Sequence, residues 1–165
     1  MQTEEIIAQL ADTDRRIQAF TRLEPSVQRR TYGPGKWNGM QVLAHIADVD
    51  AAFYYRFLCI ATQEGATIIP FDEQVWEREL RYDARPIALS AALVSSVHAN
   101  LTHHLSTLPE AALARSSRHP QHGVLTALRM ARVTAMHTLH HIGQLDAIHA
   151  GREWTKAEAL DYWGA

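Results

Sequence analysis

Apolar residues recur three and four positions apart along most of this 165-residue chain, a period that lays a continuous apolar stripe on one face of an α-helix. Ile6, Ile7, Leu10, Ile17, Phe20 and Leu23 place such a stripe on residues 3–23, with Thr3 as the expected N-cap and Glu4 and Glu5 facing the positive end of the helix dipole. Pro25 and Gly33-Pro34-Gly35 then break the pattern. Asn38 and Gln41 have capping-box spacing, so a second long helix is expected from Gly39 to about Glu64, closed by Gly65. Asp72 is placed to cap a short helix carrying Val75, Trp76 and Leu80. A third long helix is expected from Ile87 to Leu108 and a fourth over 124–150, ending at Gly151; Thr155 and Glu158 should cap a last short helix over 156–163. No segment alternates apolar and polar residues between hairpin turns, so no strand is expected. The fold class that follows is all-α: a four-helix bundle with short extra helices, in which the connections 24–37 and 65–86 are long enough to cross over. Without repeats, low-complexity tracts or linker-like stretches, residues 1–165 read as a single domain.

Charge and composition exclude several functions. Sixteen Lys and Arg against 18 Asp and Glu leave a net charge of −2, the opposite of the basic excess that marks a nucleic-acid partner. No stretch of about 18 apolar residues is present, so no membrane span is expected. Glu4 and Glu5 stand where a secretory signal carries basic residues, which points to a cytoplasmic protein. Cys59 is the only cysteine and cannot pair within the chain, consistent with a reducing compartment.

The chain has ten histidines, more than its Phe or Tyr count. His137 and His141 lie four residues apart on the fourth long helix, where four residues advance about 400° in rotation and about 6 Å in rise. Both imidazoles therefore share one face, a spacing suited to two ligands on one metal ion. A catalytic zinc takes three protein ligands and keeps one position open. His45, in an otherwise apolar stretch of the second helix, is the best third ligand. Asp48 follows it by three residues on the same side, placed to accept a hydrogen bond from a ligand imidazole and fix its tautomer. Gln144, seven residues after His137, could contact ligand or water. His140 points to one side as a weaker ligand, and His98, His103, His104, His119, His122 and His149 read as surface or loop residues. Glu-x-x-His pairs, His-Glu-x-x-His, the Gly-x-Ser-x-Gly elbow and the P-loop are all missing.

Two segments carry a family resemblance. Gly35-Lys36-Trp37-Asn38-Gly39-Met40-Gln41-Val42-Leu43-Ala44-His45-Ile46-Ala47-Asp48 resembles the Trp-bearing entry into a helix with a His-x-x-Asp motif found in the DinB/YfiT-like superfamily of metal-dependent enzymes. His137-Thr138-Leu139-His140-His141-Ile142-Gly143-Gln144 is similar to that family's His-x3-His followed by x-Gly-Gln. The resemblance implies a four-helix bundle, often a homodimer, in which His45, His137 and His141 hold a divalent metal, commonly zinc or nickel. Ile142 departs from the Arg that many members carry there. Some relatives are implied to be transferases that use a low-molecular-weight thiol as cosubstrate.

Two functions follow as expectations. One is a metal-dependent hydrolase or thiol transferase acting on a small molecule, with the metal activating water or a thiol and with Asp48 and Gln144 assisting. The other is a non-enzymatic dimeric metal-binding stress-response protein whose histidines are structural. The apolar face Leu128, Ala131, Ala135 and Ile142 was the residue-level reason for a dimer partner.

Overall fold

The computed structural model describes residues 2–164. Chain order is α1 (Thr3–Thr21), α2 (Pro25–Gln28), α3 (Gly39–Thr62), α4 (Glu73–Glu79), α5 (Ile87–Thr107), α6 (Glu110–Ala114), strands β1 (Ser116–His119) and β2 (Gly123–Thr126), and α7 (Ala127–Ala150). Single 3₁₀ turns occupy Tyr82–Ala84 and Lys156–Glu158. The helices begin where their caps dictate. The Asn38 side chain accepts from the Met40 and Gln41 amides while the Gln41 side chain accepts from the Asn38 amide, and Asp72 accepts from Gln74 and Val75. Gly151 ends α7 at φ 67°, the left-handed conformation that glycine adopts without a Cβ penalty. The N-cap of α1 is Gln2 where Thr3 was expected, and the last short helix is only the 156–158 turn.

α1, α3, α5 and α7 form the bundle, α1 and α3 each packing against both α5 and α7. Thus α1 and α3 sit on one diagonal and α5 and α7 on the other. The first connection and the third, residues 108–126, cross the bundle. The 63–86 connection instead joins neighbours, and it folds back beside the bundle carrying α4. A close approach locks the first crossover: a Cβ on Gly39 would lie 2.4 Å from Phe20 Cζ and 2.8 Å from the Gln28 carbonyl oxygen. Only glycine fits there.

The short antiparallel hairpin, Ser116 opposite Thr126 through His119 opposite Gly123, corrects the expectation of no strand and leaves the four-helix bundle as expected. Its strands have only four residues each, too short for a period-2 signal, and the segment 124–126 that read as the start of the last helix pairs instead with β1. Thr126 then caps α7 by accepting from the Arg129 amide.

Two apolar clusters fill the interior. One gathers Ile6, Leu10, Phe53, Phe57, Leu101 and Met130, the other Ile17, Phe20, Leu43, Ile46, Val94 and Ile148. Ala131, Ala135 and Ile142 are buried within this single chain. That face is satisfied by the bundle itself, so it no longer calls for a dimer partner. Among the described residues no helix is long and apolar enough to cross a membrane.

Candidate metal centre

Much of α3 is buried, His45 and Asp50 among its buried residues, so these two polar side chains are held by neighbours and not by water. His45 projects from α3, and His137 and His141 from α7; they are 1%, 0% and 7% exposed, respectively. Their ring nitrogens converge, with His45 Nε2 3.0 Å from His141 Nε2 and 3.2 Å from His137 Nε2. One ligand atom from each of the three lies within 4.8 Å of the others. Tetrahedral coordination at zinc–nitrogen distances of about 2.0–2.1 Å separates ligand nitrogens by about 3.3–3.4 Å. The spacing already approaches that value.

The far side of each ring on α7 is fixed. His137 Nδ1 donates to Asp50 Oδ1 at 3.0 Å, and His141 Nδ1 donates to Gln144 Oε1 at 2.8 Å. With the protons on Nδ1, both Nε2 atoms present lone pairs toward His45. Lone pairs meeting in a dry interior repel unless a cation or a proton lies between them. The donor set, three imidazoles with two of the three oriented through their other nitrogen, fits a divalent metal of the zinc or nickel type.

Asp50 is the centre of this support. It is completely buried and also accepts from His98 Nε2 at 3.0 Å and from the Thr138 hydroxyl at 2.7 Å. Burial pushes its carboxyl pKa up, but the hydrogen bonds from His137 and His98 outweigh that and leave it at about 2. Asp48, expected to hold a ligand imidazole, is half-buried and accepts instead from Arg85 Nη1 at 2.6 Å. The imidazole-orienting hydrogen bond belongs to Asp50, about 3 Å farther along α3, because α7 passes on that side of the helix. His98, read from sequence as peripheral, is buried and part of the same network. Gln144 touches His141 directly. The sequence signal is shared by Asp48 and Asp50, both carboxylates inside the apolar stretch Ile46–Phe53 that have to find donors.

The side of the cluster away from α7 is closed by Phe53 of α3 and by segments outside the bundle. Glu73, in the first turn of α4, has Oε2 4.0 Å from His45 Nε2. The Trp37 ring centre lies 5.0 Å from that of His45, and those of Phe53 and Tyr162 lie 5.4 and 5.3 Å from that of His137. Burial, with the nearby charges of Glu73 and Asp161, raises the Tyr162 phenol to about 12, so it remains a proton donor at neutral pH. His140 accepts from the Leu160 amide, which docks the C-terminal segment against α7.

Burial drives the pKa of His45 well below 6.5, with repulsion from His137 adding to it, and His141 is lowered by burial and by His45 and His137. Both imidazoles are thus neutral in the folded chain, the form a metal requires. Because their folded pKa values lie below the unfolded value, their stabilising contribution is complete above about pH 6.5 and is lost as pH falls through the acid range. Metal-free protein should lose roughly 1 kcal/mol per histidine per pH unit below that point. Urea-unfolding midpoints at pH 7 and pH 5.5 check this, and equal midpoints would contradict it.

These observations agree with what the chain is similar to. A protein of Oceanobacillus iheyensis named "Putative metal-dependent hydrolase OB0782" is 27% identical over 124 residues, covering 75% of this chain and 72% of that one. The similarly named BH0277 of Halalkalibacterium halodurans is 25% identical over 140 residues, 84% of this chain and 81% of its own. YfiT from Bacillus subtilis, described as "a probable metal-dependent hydrolase with an unusual four-helix bundle topology", superposes with a TM-score of 0.80 at 24% identity over 92% of this chain and 89% of that one. The mycothiol-dependent maleylpyruvate isomerase has the same fold at lower similarity, with a TM-score of 0.69 and 14% identity, covering 99% of this chain and 66% of that one. The sequence profile of the DinB superfamily matches residues 4–145, nearly the whole bundle including all three histidines, and the chain belongs to that superfamily.

Proposed function

We propose that this chain is a metal-dependent hydrolase whose divalent ion, zinc or nickel, is held by His45, His137 and His141. The carrying observation is the convergence of three buried Nε2 atoms, two of them with their tautomer set by Asp50 and Gln144. A divalent ion in this position supplies Lewis acidity, which makes water nucleophilic near neutral pH. The residues of the chain then divide the work. Asp50 and Gln144 keep the ligand rings in register and their Nε2 lone pairs free. Glu73 Oε2, beside His45, is placed to take the proton of the attacking nucleophile. Asp48, neutralised by Arg85, is not. Trp37, Phe53 and Tyr162 exclude bulk water, and the Tyr162 hydroxyl can donate to developing negative charge.

A second reading, in which the nucleophile is a low-molecular-weight thiol, is favoured by the fold shared with a mycothiol-dependent enzyme. The two readings separate in one experiment. Protein purified without an affinity tag is analysed for metal, then assayed against simple esters and against thiol adducts, with and without added thiol. Removal of the metal by a chelator should lower turnover at least 100-fold, and its return should restore it. Turnover that persists without metal would overturn the proposal, as would a chelator that lowers only the melting temperature of a protein with no turnover, the outcome of a structural metal.

A further inference from the structure

Arg56 on α3 is 6% exposed, and among the described residues no Asp or Glu oxygen lies within ion-pair distance of it, although the Glu73 carboxylate attracts it from a cavity that both line. Of its five donors, Nη2 alone makes a hydrogen bond to the protein, to the Ile69 carbonyl at 2.6 Å. Its guanidinium carbon sits 4.7 Å from the Phe71 ring centre and 5.5 Å from that of Phe53. Burying a cation is costly, and the Glu73 charge, too far for an ion pair, and stacking on two rings offset only part of that. Hydrophobic residues of similar length would fill the same space at lower cost.

The surroundings say what the charge is for. Arg56 lines a cavity of about 220 Å³ together with Phe53, Phe71, Glu73, His119 and Trp163. It also lines a larger apolar cavity of about 360 Å³ with Ile68, Pro70, Phe71 and Trp76. His119 adds a second donor to the first cavity: its Nδ1 accepts from the Gln121 and His122 amides at 3.2 and 3.3 Å, which leaves the ring proton on Nε2. The same Phe53 ring whose centre is 5.5 Å from Arg56 lies 5.4 Å from the His137 ring. One phenyl ring therefore separates the buried cation from the histidine cluster. Glu73 lines the same cavity with Oε2 4.0 Å from His45 Nε2, and its charge is felt both there and at Arg56.

We propose that Arg56, assisted by His119, binds the anionic group of a small carboxylate substrate whose apolar or aromatic body lies against Phe53, Phe71 and Trp163. The bound anion directs the other end of the molecule to the histidines. Arg56 thus sets specificity, while the ion does the chemistry; only this orientation rests on the hydrolase reading.

Benzoate and its neutral isostere benzamide are the probes, titrated by calorimetry into the full chain in zinc-free and zinc-loaded form. Benzoate should bind at least tenfold more tightly than benzamide in both forms, since charge-assisted hydrogen bonds are roughly twice as strong as neutral ones. Arg56→Met should abolish that preference and leave zinc content unchanged, with Arg56→Lys restoring part of it. Equal affinity for benzoate and benzamide, or no saturable benzoate binding, would overturn the proposal on wild-type protein alone, whatever the variants do. Benzoate binding seen only with zinc and unchanged in Arg56→Met would place the carboxylate on the ion and overturn it too. A failure of the metal reading looks different: no zinc is retained, while the benzoate preference and its loss in Arg56→Met persist.

Discussion

Asp50→Ala is expected to cost about 3–5 kcal/mol, the range for breaking a buried charged network from one side. The carboxylate is completely buried and accepts from His137, His98 and Thr138. Its removal leaves His137 Nδ1 and His98 Nε2 without an acceptor, at about 1–3 kcal/mol for each that cannot recruit water, while the Thr138 hydroxyl can still donate to the Thr134 carbonyl at 3.1 Å. For a domain of this size the melting temperature should fall by about 2–4 °C per kcal/mol. The second effect is on the metal: without its acceptor the His137 ring is free to turn and to move its proton to Nε2, so zinc affinity should drop about 10–100-fold. Asp50→Asn separates the two effects. It preserves volume and one acceptor, so it should be less destabilising, but its amide nitrogen must face a donor and the charge that accepts from His137 is lost. Chemical denaturation of the metal-free protein reads the first quantity, and zinc competition against a chromogenic chelator reads the second. An Asp50→Ala protein within about 1 kcal/mol of wild type would show that the network is satisfied in some other way.

His137→Asn should abolish stoichiometric metal binding while keeping the fold. Asparagine can place an amide donor where His137 Nδ1 meets Asp50, but it cannot reach the position of Nε2, so the ligand atom alone is deleted. Two histidines on a buried site do not hold a divalent ion tightly, and the metal-dependent turnover proposed above should fall at least 1,000-fold. Stability offers an independent readout. In wild type, free zinc at 100–1,000 times its dissociation constant adds about 3–4 kcal/mol by mass action, a rise in melting temperature of roughly 5–15 °C. His137→Asn should show no such rise, and full metal content in this variant would remove His137 from the ligand set.

The Asp50 network also shows where sequence reading stops. His137 and His141 could be assigned to one face because helical geometry is local: their relative direction follows from four residues of a regular backbone. Asp48 and Asp50 could not be ranked in that way. Both follow His45 within two turns, and which one meets a histidine depends on the side from which α7 approaches. Glu73 and Arg56 were illegible for the same reason, since one sits on a short helix in a connecting segment and the other looks toward a loop. His98 was set aside because a histidine on a weakly amphipathic helix has no local sign that a carboxylate waits across the bundle.

The sequence alone determined the four long helices, the caps at Asn38, Asp72 and Gly151, the bundle class and the shared face of His137 and His141. These depend on hydrogen bonds and side-chain periodicity within a few residues. The tertiary structure decided the rest: the two diagonal crossovers, the hairpin before α7, the choice of Asp50 over Asp48, and the buried Arg56 cation one phenyl ring from the histidines. Each of these depends on groups distant in sequence meeting in a water-free interior, where the cost of an unsatisfied charge or donor selects the partner, and a one-dimensional pattern does not record which partner is near.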